Sequence, residues 1–274
     1  MELEINKDSD FNNLIYTLIE LYYKLNTDAI RVPLNIVLTD NLNNSHKDIR
    51  SDMIEELSGT LNELSNSANG RTVVPHSLND PINILLDVNK ALEYTKDGSM
   101  TWIGTIAHEL THAIDFYQMA RKENIDSYDP LQRIPDYQLF SLWSEYHARK
   151  KGYAFLRILS NAEGIIGEDK EQINFILSSE WPFHMESHYN DYHMPGVLQY
   201  DQINITMQLL GRYSVWCDLF PDYFNIEALK EDFLGTTWLV NLFEFLYSHE
   251  TLDEIYPCFD EFKAILKQNW STIQ

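Results

Sequence analysis

Two hundred and seventy-four residues, 44% of them hydrophobic and 13% aromatic, suffice for one large domain or two small ones with buried cores, which excludes a disordered chain and a small disulfide scaffold. Against 42 acidic residues stand 20 basic ones, a formal net charge of −22 that repels nucleic-acid phosphates and anionic membrane surfaces, so neither is expected as a partner. Two cysteines, an acidic opening Met1-Glu2-Leu3-Glu4 and no apolar run near the roughly 20 residues that span a bilayer predict a soluble cytosolic protein.

From Phe11 to Leu25 the apolar positions Leu14, Ile15, Leu18, Leu21, Tyr22 and Leu25 recur at threes and fours, the stripe of a helix packed on one side. Pro33 precedes a short β-branched run, Leu34 to Thr39, which reads as a strand, and the Asn- and Asp-rich stretch Asp40 to Ser45 reads as a loop. Helical spacing resumes from Asp48 to Leu64, and Asn69-Gly70 closes it. Arg71 to Val74 is expected as a short strand, and Ile82 to Val88, introduced by Pro81, as the next.

After Ser99 the strand signals nearly vanish. Helical patterns run over about 101–120, 135–160, 167–179, 197–217, 226–248 and 257–270. The fold class predicted is α+β, with a small N-terminal sheet flanked by helices and a mostly helical C-terminal half. A break near 160 would divide the chain into 1–160 and 161–274.

The stretch Thr105 to Phe116 carries the informative motif, His108-Glu109-Leu110-Thr111-His112. In HExxH two imidazoles one helical turn apart can hold the same zinc ion, while the intervening Glu can take a proton from water. With His108 as zero, His112 lies near 40° and Asp115 near 340° around the helix at about 100° per residue. Ile103, Ile106, Ala107, Leu110, Ala113, Ile114 and Tyr117 fall on the opposite side, so the helix is expected to bury that back and to present both histidines on a polar face.

A catalytic zinc keeps three protein ligands and one open position. Glu145 is the expected third ligand, because Ser141, Ala148 and Gly152 share its helix face and their small side chains permit close approach of another helix. The competing reading of Glu145 is a solvated carboxylate paired with Arg149 at i+4. Asp115 is expected to brace a ligand histidine, with direct ligation as its alternative.

The segment His184-Met185-Glu186-Ser187-His188, with Tyr192 and His193, lies among Pro182, Asn190, Asp191 and Pro195 and reads as a loop. Its functional reading is that His188, His193 or Tyr192 donates a hydrogen bond to an oxyanion; its plain reading is a solvated polar loop. His46, His76, His147 and His249 read as surface or satisfied core histidines.

On these residues the chain resembles the zincin metallopeptidases, and more narrowly the gluzincins, whose active-site helix looks like His108-Glu109-Leu110-Thr111-His112-Ala113. The strand Ile82 to Val88 resembles the zincin edge strand that aligns peptide substrates. The metzincin extension is absent, since Asp115 and Gln118 stand where Gly and His would be required. The resemblance implies a metallopeptidase core in 1–160, a helical subdomain in 161–274, Zn2+ as cofactor, His108, His112 and Glu145 as its ligands and Glu109 as general base. It also implies peptide-bond hydrolysis, and the acidic surface favours a basic protein or peptide substrate. The alternative is an acidic binding protein, of DNA-mimic type, that keeps the motif only as structure.

Overall fold

The computed structural model describes residues 9–51, 69–162, 170–232 and 236–271. Its architecture is α+β, a small mixed sheet accompanied by many helices. The chain divides into two compact units, Met1–Ile134 and Pro135–Gln274. The break expected near 160 falls inside a helix that belongs whole to the second unit.

In the first unit, α1 (Ser9–Leu25) precedes β1 (Leu34–Thr39). The stretch read as a loop at Asp40 to Ser45 instead opens helix α2 (Leu42–Ile49). Asn41 has extended backbone and its side-chain oxygen accepts the Asn44 amide at 2.9 Å, so a residue type counted as loop-forming acts as the N-cap. Most of the helix expected over Asp48 to Leu64 lies outside the described residues.

The sheet continues with β2 (Gly70–Val73) and β3 (Ile82–Asp87). Strand order is β1-β3-β2, with β1 parallel and β2 antiparallel to β3. β3 is therefore the central strand, and the edge-strand resemblance of Ile82 to Val88 is corrected. Its side chains explain the position: Ile82, Ile84 and Leu85 are fully buried and Leu86 nearly so, which suits a strand covered on both faces. In the sheet of the described residues, β2 holds an edge.

Asp87 ends β3 and caps α3 (Val88–Lys96), its Oδ1 accepting the amides of Asn89 at 2.9 Å and Lys90 at 3.1 Å. The sequence reading had no helix there. The long helix α4 (Thr101–Lys122) carries the HExxH motif. On its apolar back, Ala107, Leu110 and Ala113 are fully buried, as expected.

The second unit is helical: α5 (Tyr137–Ala162), α6 (Lys170–Phe175) running through a π turn at Ile176–Glu180 into α7 (Trp181–Tyr192), and α8 (Gln199–Leu219). α9 (Ile226–Asp232), α10 (Thr237–Tyr247), α11 (Leu252–Ile255) and α12 (Phe259–Leu266) follow. The single helix expected over 226–248 is thus described as two, with 233–235 outside the described residues.

α7 overturns the loop expected between Pro182 and Pro195. Pro182 sits just after the π turn, in the first turn of α7, and Trp181 is buried against Tyr213 and Trp216 with ring centroids 5.0 and 5.3 Å away.

α5 and α8 meet at Gly211. A Cβ there would stand 2.7 Å from the Tyr146 carbonyl oxygen, 2.9 Å from Arg149 Cβ and 3.1 Å from Lys150 N. Backbone cannot swing aside as a side-chain tip can, so Gly211→Ala is expected to cost about 1–3 kcal/mol of stability. The measurement is the denaturant midpoint at unchanged slope; an unmoved midpoint would show that the helices separate without cost.

Candidate metal centre

α4 sets the two histidines one turn apart. Their Nε2 atoms are 3.1 Å from each other, and the rings stand at 90° with centroids 4.6 Å apart. Two nitrogens bound to one tetrahedral zinc at 2.0–2.1 Å would be separated by about 3.3 Å. The pair is thus spaced close to what a shared ion requires, and imidazole is a donor that zinc takes readily. His108 is buried and His112 partly so.

Glu109 is also buried, and its carboxylate is fixed by the sheet. Thr72 Oγ1 of β2 lies 2.9 Å from Glu109 Oε2 and 2.8 Å from the Glu109 carbonyl oxygen. Both partners are acceptors, so the single hydroxyl proton is shared between them. Period-two alternation puts Gly70 on the same face as Thr72, and a Cβ at Gly70 would meet Glu109 Cγ at 3.0 Å. The missing side chain lets β2 lie against the motif.

Arg71, on the other face of β2, donates to Asn43 at 3.1 Å and lies 3.1 Å from His46 Nδ1. Burial pulls its guanidinium pKa down, and the charge of Glu109 opposes that shift. Neither Thr72 nor Arg71 was singled out from sequence, where a four-residue strand carries no sign of its partners.

On the inner side of α4, Thr111 Oγ1 donates to the Ala107 carbonyl at 2.7 Å and therefore accepts from the Tyr22 hydroxyl of α1 at 2.8 Å. Burial raises the Tyr22 pKa, and the nearby Asp115 carboxylate adds to the rise. Asp115 is wholly buried, one turn beyond His112. The polar face of α4 is thus partly enclosed, with His112 more open than His108 and Asp115.

In the second unit Glu145 is partly buried on α5, 3.9 Å from Arg149 Nη2. Arg149 directs Nη2 to Gln208 Oε1 of α8 at 2.8 Å, and Gln208 in turn donates to Asn204 at 3.0 Å. The Arg149 guanidinium is oriented by an amide, at a distance from Glu145 longer than a hydrogen bond. Ser141, on the face of Glu145, accepts from Tyr200 of α8 at 3.2 Å.

The α7 residues have local partners. Thr206 gives its proton to the Gln202 carbonyl at 2.8 Å, so at 3.3 Å it receives one from His188 Nε2. Burial, and then the charge of His193, drops the His188 pKa to about 4, leaving the ring neutral at neutral pH. His193 Nδ1 lies 2.8 Å from the Tyr189 carbonyl, and the Tyr192 hydroxyl is 3.5 Å from Asn269. Elsewhere, His147 stacks on Trp143, His76 pairs with Asp129 and His249 Nδ1 lies 2.7 Å from the Phe245 carbonyl, in line with their reading as satisfied residues.

Among the described residues, one group of histidine, cysteine and acidic side chains offers ligand atoms close enough together for a metal ion: His108, His112 and Glu145, all within 4.8 Å of one another. Two imidazoles and one carboxylate are a donor set that fits zinc. No family model, curated protein or solved structure matches the chain. No helix among the described residues is long and apolar enough to cross a membrane.

Proposed function

We propose that the protein is a zinc-dependent peptidase of zincin type, with His108, His112 and Glu145 as metal ligands and Glu109 as general base. The observation that carries this reading is the 3.1 Å approach of the two Nε2 atoms beside a buried, oriented glutamate. When bound, zinc supplies Lewis acidity, which acidifies water and polarises a carbonyl.

Glu109 does the proton work. It takes a proton from the attacking water as the new C–O bond forms and passes it to the amine nitrogen as the C–N bond breaks. Thr72 holds Oε2 by one hydrogen bond, which limits the rotation of the carboxylate without occupying all of its lone pairs. Asp115, buried one turn beyond His112, braces the ligand helix from within. The substrate is a peptide or protein, and the −22 charge draws basic ones.

Purified protein is expected to contain about one zinc per chain and to cut members of a peptide library. A chelator should abolish cleavage and added zinc should restore it. Protein that binds no zinc and shows no chelator-sensitive cleavage would leave only the acidic binding protein.

A further inference from the structure

Glu145 and Arg149 stand four residues apart on α5 in the order that favours an ion pair, acid first and base one turn later. Their side chains are 13% and 27% exposed, and withdrawal from water strengthens the attraction between opposite charges. A hydrogen-bonded pair is what this helix alone would form. The two instead stand at 3.9 Å, Arg149 Nη2 to Glu145 Oε1.

What holds the guanidinium back is on α8. The same Nη2 donates to Gln208 Oε1 at 2.8 Å. The Gln208 amide is fixed in turn, because its Nε2 donates to Asn204 Oδ1 at 3.0 Å, one helical turn earlier, which leaves Oε1 as the end turned to Arg149. Reach across the crossing depends on Gly211, one turn after Gln208, where α8 comes so near that an added Cβ would lie 2.9 Å from Arg149 Cβ. On the other side of Glu145, Tyr200 bonds Ser141 at 3.2 Å. Ser141, Glu145 and Arg149 form one i, i+4, i+8 row on α5, and Tyr200, Asn204 and Gln208 form another on α8. Both ends of the rows are joined by hydrogen bonds, so α8 fixes the turns before and after Glu145.

We propose that Gln208 is a positioning residue of the metal centre: by holding Arg149 Nη2 it keeps the guanidinium from closing on Glu145 and leaves that carboxylate to the ion. The inference rests on the reading of Glu145 as a zinc ligand. A guanidinium and a zinc ion compete for the same carboxylate oxygens, and Gln208 gives the guanidinium another acceptor. Gln208 acts on the ligand through Arg149.

The test is the zinc dissociation constant of the full chain, measured by competition with a chelator of known affinity. Gln208→Leu should weaken zinc binding by about tenfold or more, the range for losing a group behind a metal ligand. Gln208→Glu keeps an acceptor for Arg149 and should bind zinc as the wild type does. Arg149→Met removes the competitor, so it should bind zinc no more weakly than the wild type, and adding Gln208→Leu to it should change nothing further. A loss of packing alone would not be suppressed by a second substitution. Thermal midpoints without zinc report that each variant is folded, and if Gln208→Leu does not fold, Gln208→Ala carries the same expectation.

Unchanged affinity in Gln208→Leu, an equal loss in Gln208→Glu, weaker binding in Arg149→Met, or a Gln208→Leu defect that persists beside Arg149→Met would overturn the proposal and leave the metal reading standing. A wild-type chain that binds no zinc, or zinc held equally well by Glu145→Gln, would overturn both. The expected affinity pattern in a zinc-loaded chain that cleaves no peptide would remove the peptidase reading and leave the role of Gln208 in place.

Discussion

Glu109→Gln is expected to keep its zinc and its fold while kcat falls by about 10²–10⁴-fold, the usual loss on removing a general base. The substitution replaces one carboxylate oxygen by an amide nitrogen of nearly the same size. Thr72 can still donate to the remaining oxygen, so the side chain keeps its place against β2. What disappears is a group able to accept a proton from water and hand it to the departing amine. Metal content by elemental analysis and kcat on any cleaved peptide are the two readouts. A variant with full activity would show that the proton goes elsewhere and remove Glu109 from the mechanism, even if zinc were present.

The candidate site was legible from sequence to the extent that its chemistry is local. His108, Glu109 and His112 lie within one and a half helical turns, and the apolar positions around them fix the helix and its buried back. Glu145 could be inferred from small residues on its own face. Thr72 could not, because its bond to Glu109 joins a four-residue strand to a helix 37 residues later in the chain.

Strand order failed for the same reason. Hydrophobicity marked Ile82 to Val88 as a strand, but its central place depends on β1 and β2 pairing from either side. At Asn41 and Pro182 the residue types were noticed and read as loop, yet Asn41 caps a helix and Pro182 lies in one, while Asp87, read as strand, ends its strand and also caps the helix that follows.

The second large effect is expected at the metal ligands themselves. His112→Ala or His108→Ala should reduce bound zinc from about one per chain to near zero, since losing a direct ligand must exceed the 10–100-fold typical of losing a residue behind one. The stabilisation that zinc adds to the folded chain should vanish with it, so added zinc no longer raises the thermal midpoint. In the metal-free state the same substitutions forfeit one imidazole–imidazole contact, about 0.5–1.5 kcal/mol if it is a hydrogen bond. The metal-free fold should therefore survive, and metal loss can be separated from unfolding.

His184 and His188 provide the control, because they have the same i, i+4 spacing on α7. Spacing alone would make them ligands too. Yet His184 lies against the Trp216 ring and 3.9 Å from Glu180, while His188 spends its Nε2 proton on Thr206, so their nitrogens already have uses within the second unit. His188→Ala should leave zinc content at the wild-type level. Zinc retained by His108→Ala and His112→Ala, or lost from His188→Ala, would move the metal to the other pair and take the proposed role of Glu109 with it.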